Sequence, residues 1–322
     1  MPVIRHSAYA GPPRYLYNGH LQTVYPSLFR TVPGVRYERE RLTLSDGDFV
    51  DLDWADHGRR RLVLITHGLE GDSHRHYVKG TARLFVEAGY DVLAWNCRSC
   101  SGEMNRAFRL YNHGEIGDIG EVLAHALRHK NYQEVVLVGY SMGGNITLKF
   151  LGVHGKVLSG VVRRAVAVSA PTDLHASARL LDQPRNQFYR RRFMKKLARK
   201  MHQKAAQFPG RLDVAKLAEV RVWQDFDDFF SAPLNGYRDA LDFYTQASAV
   251  NFMDGIAVPT LLLNAQNDPI LSPECSPVGL AEAHPQVFLE TPATGGHVGF
   301  LLPGDLHTYA ERRALAFCQS ND

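Results

Sequence analysis

Cysteine is scarce in this chain: four residues in 322, at Cys97, Cys100, Cys275 and Cys318. Four cysteines at this length do not make a disulfide scaffold. Cys97 and Cys100 form a single C-x-x-C with no second ligand pair, which argues against a structural zinc site and leaves them as reduced, structural residues. Asp72, His74 and His76 come close in sequence but lack the partners of a closed ligand set, so neither metal nor cofactor is expected. No run approaches the roughly 18–20 apolar residues of a membrane span. The first ten residues lack the apolar core of a signal peptide, so a cytoplasmic location is expected, with contact at a membrane surface left open. The net charge is only +4. That is too small to argue for nucleic acid, and the one basic cluster has no reading motif around it.

What the chain does contain is rhythm. Arg36 to Leu44 and Asp48 to Trp54 alternate as two strands joined at Ser45-Asp46-Gly47, a turn signal. From Leu62 onward apolar strand-like runs alternate with helical segments: 62–66 with 77–88, 91–95 with 116–128, and 134–138 with 142–154. Residues 164–169 supply the sixth strand. Such alternation predicts an α/β protein with a mostly parallel sheet flanked by helices on both faces.

The rhythm breaks between Thr172 and Pro233, about sixty residues where a connection is typically ~4–6. The spacing predicts a core of residues 1–171 and 234–322, with residues 1–35 an ordered extension, and a helical cap of residues 172–233 inserted after the sixth strand. The cap holds the densest charge in the chain: Arg190, Arg191, Arg192, Lys195, Lys196, Arg199, Lys200 and Lys204. Tyr189, Phe193, Leu197, Met201 and Ala205 recur every fourth residue as an apolar stripe. The plain reading is a lid helix with a solvated basic face. The alternative is attraction to an anionic membrane or to an acyl substrate with a negative head group.

The sharpest motif is Gly139-Tyr140-Ser141-Met142-Gly143, between the apolar run 134–138 and a helical segment. Strand, G-x-S-x-G turn and helix make a nucleophile elbow, which presents a serine at the carboxyl edge of the sheet. A serine nucleophile needs a base, and the base an orienting acid; in this arrangement they follow as Ser, Asp or Glu, His. Asp268 lies just beyond the buried run 260–264, and His297 lies in the glycine-rich loop after the run 286–290. The assignment is Ser141 as nucleophile, His297 as base and acid, and Asp268 as the group that holds the imidazole. Asp173, after an earlier strand, is a second candidate acid, more readily explained as a helix cap. Backbone N–H groups of Met142, after the nucleophile, and Leu69, in the loop after the third strand of the run, are the candidate oxyanion donors. His67 and Asp72 form an H-x-x-x-x-D that is read as coincidence beside a complete triad, with His67 a structural loop residue.

Six segments carry a more specific resemblance: Asn18-Gly19-His20-Leu21-Gln22-Thr23, His67-Gly68-Leu69-Glu70-Gly71, Ser101-Gly102-Glu103, Gly139 to Asn145, Phe226-Asp227-Asp228, and Ala232 to Tyr237. With them the chain resembles the YheT-like α/β-hydrolases over nearly its whole length. One departure is Asn96-Cys97-Arg98-Ser99-Cys100-Ser101-Gly102, where that family more often has N-F-R-G-C-S-G. The resemblance implies the α/β-hydrolase fold, a carboxylic-ester hydrolase, and Ser141, Asp268 and His297 at the matching triad positions. The expected function is a serine esterase acting on short- to medium-chain or lipid-like acyl esters through an acyl-enzyme. An acyltransferase or thioesterase would use the same acyl-enzyme, and a non-catalytic binding protein of the same fold is the remote alternative. Oligomeric state is not legible.

Overall fold

The computed structural model describes residues 3–320. Nine strands form one sheet: β1 (Val3–Ile4), β2 (Glu38–Thr43), β3 (Phe49–Ala55), β4 (Arg61–Thr66), β5 (Asp91–Asn96), β6 (Glu134–Tyr140), β7 (Val162–Val168), β8 (Thr260–Leu263) and β9 (Val287–Glu290). Their order is β1-β9-β8-β7-β6-β4-β5-β3-β2. The β2–β3 and β3–β5 pairs are antiparallel and the others parallel.

The central parallel strands β4, β6 and β8 are apolar at nearly every position because both faces are covered. Alternate side chains divide between two cores. Leu62, Leu64, Val135 and Leu137 pack under α3 (Gly117–His129) and α4 (Met142–Leu158). Val63, Ile65, Val136 and Val138 pack under α2 (His76–Glu87) and α11 (Tyr309–Gln319). A one-residue slip of any central strand would exchange the two sets. The remaining helices are α1 (Gly19–Phe29), α5 (Leu174–Leu181), α6 (Gln187–Gln207), α7 (Trp223–Phe226), α8 (Ala232–Leu234), α9 (Ala240–Ala247) and α10 (Val278–Ala283), with a π turn, Asp227–Ser231, between α7 and α8.

Three features differ from the sequence expectation. The two-residue strand β1, which pairs in parallel with β9, adds one to the count, so the strand that the cap follows as expected is numbered β7. A two-residue strand has no period to read. The helical segment over the sheet edge also continues past residue 233: Phe243, Tyr244 and Ala247 of α9 share one apolar cluster with Leu174, Ala178, Leu197 and Trp223. Finally, the basic cluster of α6 is not one solvated face. Arg191, Lys195, Lys196 and Arg199 are exposed, but Lys204 is fully buried. Its ammonium donates to Asn105 O, Asn105 Oδ1 and Ala107 O, each at 2.9 Å. Lys200 reaches Glu70 Oε1 at 2.7 Å. These two lysines fasten the cap helix to the core loops.

At the departure noted above, Ser99 takes φ +62°, a conformation that favours the family's glycine. Its hydroxyl donates to Asn105 Oδ1 at 2.6 Å and accepts from Asn105 N at 3.0 Å, which offsets the strain.

Candidate active site

Ser141, Asp268 and His297 each sit beyond the end of a parallel strand. Ser141 follows β6 directly, with φ +53° and ψ −120°, and α4 begins at the next residue. The turn is possible because Gly143 lies against the β4 end: a Cβ there would stand 2.3 Å from Thr66 O. The strained serine is held by Ser141 N donating to Val168 O at 2.8 Å.

His297, in the loop after β9, has Nε2 2.8 Å from Ser141 Oγ and Nδ1 2.8 Å from Asp268 Oδ2. Asp268, in the loop after β8, is buried, and its Oδ1 accepts from Ile270 N at 2.8 Å and Leu271 N at 3.2 Å. These bonds fix the carboxylate and leave Oδ2 for the imidazole. With Nδ1–H donating to Asp268, the lone pair of Nε2 faces the serine hydroxyl. The structure thus brings Ser141, His297 and Asp268 together. Asp173 is engaged elsewhere: it is the N-cap of α5, accepting from Ala176 N at 2.9 Å.

The loop after β4 runs against the nucleophile; a Cβ on Gly68 would lie 3.0 Å from Ser141 Cβ. Among the described residues, neither Leu69 N nor Met142 N donates to a protein acceptor, and Met142 N opens α4, where the helix dipole is positive. His67 is not part of this group. It is buried, with Nδ1 2.8 Å from Gly68 O and Nε2 accepting from Cys97 N at 3.1 Å. Burial drives its pKa down to about 4, so it is a neutral tie between two loops. Asp72 accepts from His74 N, the His74 ring meets Tyr37, and the His76 ring meets Tyr77. Among the described residues no three His, Cys, Asp or Glu side chains converge as metal ligands would.

From the sequence, the Asn18–Thr23 motif is open between a packing role and a role near the active site. Its helix, α1, grips both catalytic loops. Gln22 Oε1 accepts from Asn267 Nδ2 at 3.0 Å and from Gly295 N at 2.8 Å. Thr23 Oγ1 accepts from His297 N at 2.8 Å. Gly19 permits the approach, since a Cβ there would stand 2.0 Å from Asn267 O. His20 Nδ1 lies 3.1 Å from Tyr189 OH on α6, which joins the clamp to the cap.

Two cavities meet at the serine. One, of about 930 Å³, runs beneath the cap and is walled by Leu181, Leu197, Met201, Phe226 and Phe243. Its one acid, Asp227, sits on the π turn and accepts from Tyr244 OH at 2.7 Å; burial raises its pKa to about 6. The other, of about 710 Å³, opens beside α1 and is lined by Thr23, Ser27, Arg75, His76, Phe188 and Arg192. Ser141, Leu69 and His297 border both. The lining arginines and Asp227 lie far apart in sequence and carry no joint pattern. Only the fold assembles them.

Residues 61–303 match the family model described as alpha/beta hydrolase fold. The chain belongs to that family. It is 37% identical to the YheT protein of Escherichia coli, over 90% of this chain and 86% of that one. Phospholipase ABHD3 of Mus musculus is 28% identical over 93% of this chain and 74% of its own. Among solved structures, the Pyrococcus furiosus esterase Pf2001 superposes with a TM-score of 0.57 over 89% of this chain and 96% of that one, at 17% identity. That likeness is one of fold.

Proposed function

We propose that this α/β-hydrolase is a serine carboxylic-ester hydrolase acting on short- to medium-chain or lipid-like acyl esters. The observation that carries the reading is the Ser141–His297–Asp268 relay opening directly into an apolar cavity of about 930 Å³. Relatives named as a phospholipase in mouse and a monoacylglycerol lipase in yeast, the latter 25% identical, support the ester chemistry. Ser141 Oγ attacks the ester carbonyl while its proton passes to His297 Nε2. The oxyanion is held by the N–H groups of Leu69 and Met142, each worth roughly 3–4 kcal/mol in the transition state. The carbonyl–alcohol bond then breaks, and His297 returns the proton to the leaving oxygen. Asp268 stabilises the imidazolium without taking its proton. Water, activated by His297 in the same way, releases the acid and restores Ser141. The acyl chain lies along the apolar cavity under the cap.

Initial rates on p-nitrophenyl esters of increasing acyl length test this reading. Activity that peaks at one chain length and vanishes in Ser141→Ala is expected; equal activity in Ser141→Ala would overturn it.

A cytoplasmic location with peripheral contact to an anionic membrane belongs to the same proposal. Arg191, Lys195 and Arg199 are exposed on α6, and Phe188, Leu28 and Phe29 are exposed on α6 and α1, the helices that line the second cavity. Among the described residues no helix is long and apolar enough to cross a membrane. Co-sedimentation with anionic but not neutral vesicles is expected; no sedimentation with either would remove the membrane contact.

A further inference from the structure

The second cavity differs from the first in charge. Arg75 and Arg192 both line it, and no Asp or Glu does. Neither guanidinium has a carboxylate within 4.0 Å among the described residues. Among the described residues the Arg75 guanidinium reaches only the hydroxyls of Ser27, at 3.4 Å, and Tyr77, while the Arg192 guanidinium makes no hydrogen bond or ion pair. Both are half-buried, unlike the solvated Arg191, Lys195 and Arg199 beside them. Lys196 lies close by. Its ammonium donates to Glu70 O at 3.0 Å, and its pKa is lowered by the partial burial of that end of the side chain and by Arg75, Arg192 and Lys200, with Glu70 opposing. Glu70 is already paired with Lys200 at 2.7 Å. A fully buried arginine is almost never unpaired, and the cost of an uncompensated charge grows as water is withdrawn from it. Two arginines without a carboxylate partner, in a cavity that borders the nucleophile, make a site suited to an anion.

We propose that Arg75 and Arg192 bind a compact anion, a phosphate ester above all, carried on the leaving alcohol of the substrate. This inference rests on the esterase reading and specifies its substrate class: an apolar acyl chain under the cap, joined through the scissile ester to an alcohol that bears a phosphate. Guanidinium suits that role because its planar fork gives two parallel N–H donors to phosphate oxygens. The apolar cavity cannot hold the anion, since its one ionisable acid, Asp227, would repel it. The order of bond changes at Ser141 stays the same, with the phosphate-bearing alcohol leaving on the proton from His297.

The test compares octanoylglycerol with octanoylglycerol phosphate, both below their aggregation concentrations, on the wild type and on the double variant Arg75→Gln/Arg192→Gln. The wild type should turn over the phosphate ester with a kcat/KM roughly tenfold or more above that of the neutral ester. That ratio should fall toward one in the double variant, recover in part with Arg75→Lys/Arg192→Lys, and shrink with salt. Inorganic phosphate should compete with the phosphate ester. Calorimetric titration of Ser141→Ala with the same two esters reads recognition without turnover, and tighter binding of the phosphate ester is expected. Ser141-dependent cleavage with a ratio near one in the wild type would overturn the anion site and leave the esterase standing. No cleavage of either ester, with Ser141→Ala still preferring the phosphate ester, would keep the anion site and reject the esterase. A rate gain on the neutral ester with phosphatidylglycerol vesicles that needs both arginines, without preference for the soluble phosphate ester, would assign the cluster to a lipid surface and overturn the proposal.

Discussion

Two helices approach the catalytic serine from outside the sheet, and they differ in every way that a sequence displays. Helix α6 is long and densely basic, while α1 has eleven residues, contains Pro26, and carries no charge beyond its histidine. Yet α1 makes the contacts that set the geometry. Gln22 and Thr23 bond to the loops that carry Asp268 and His297, across sequence separations of 245 to 274 residues. The cations of α6 divide between tethers (buried Lys204, half-buried Lys200, and Arg190 paired with Asp182) and an exposed remainder, with Arg192 turned into the second cavity. Composition announced the helix that covers the site. It said nothing of the helix that aligns it.

Substitutions can break that contrast, starting with the acid that α1 helps to hold. Asp268→Asn should cut kcat by roughly 10⁴-fold while the fold persists, because the imidazole loses its orienting anion. Circular dichroism and a rate assay check both halves, and full activity would return Asp173 to consideration. Next comes the acid of the cap cavity. The raised pKa of Asp227 means that between its ordinary 3.8 and about 6 the folded chain binds more protons than the unfolded one. Its contribution to stability is therefore whole below pH 3.8 and lost as the pH rises through 6, by at most about 3 kcal/mol. Asp227→Asn keeps an oxygen for Tyr244 and should shrink the fall in stability between pH 4 and pH 7 in urea titrations.

Gln22→Ala should lower kcat roughly 10- to 100-fold with less change in KM, since it loosens loops without touching substrate. A wild-type kcat in that variant would mean that α1 merely packs. On α6, Lys204→Ala should cost about 2 kcal/mol by leaving the buried Asn105 carbonyl without a donor and taking one from Asn105 Oδ1 and Ala107 O. Lys195→Ala should stay within about 0.5 kcal/mol. Thermal melts that gave the two lysines equal effects would return the basic cluster to a single solvated face.

How much could be read beforehand follows the same divide. The parallel strands were legible because burial on both faces makes them continuous apolar runs, as in Leu62–Ile65 and Val135–Val138. Ser141, Asp268 and His297 were legible because each follows such a run in the order that a serine hydrolase uses. β1 was not, having only two residues. The far edge of the cap was not, because α9 belongs to it through Phe243 and Tyr244, whose apolar contacts resemble any core helix. Lys204 was hidden among seven other cations, since what buries it is the pair of carbonyls at Asn105 and Ala107. The motif Asn18–Thr23 stood out, but its meaning lay in partners at the other end of the chain.

The most direct test of the central claim is a pre-steady-state burst with p-nitrophenyl octanoate, followed by mass analysis of the quenched protein. One p-nitrophenol per active protein, with an octanoyl group on the peptide that contains Ser141, is the predicted result. Steady turnover without a burst or acyl adduct, persisting in Ser141→Ala, would contradict it.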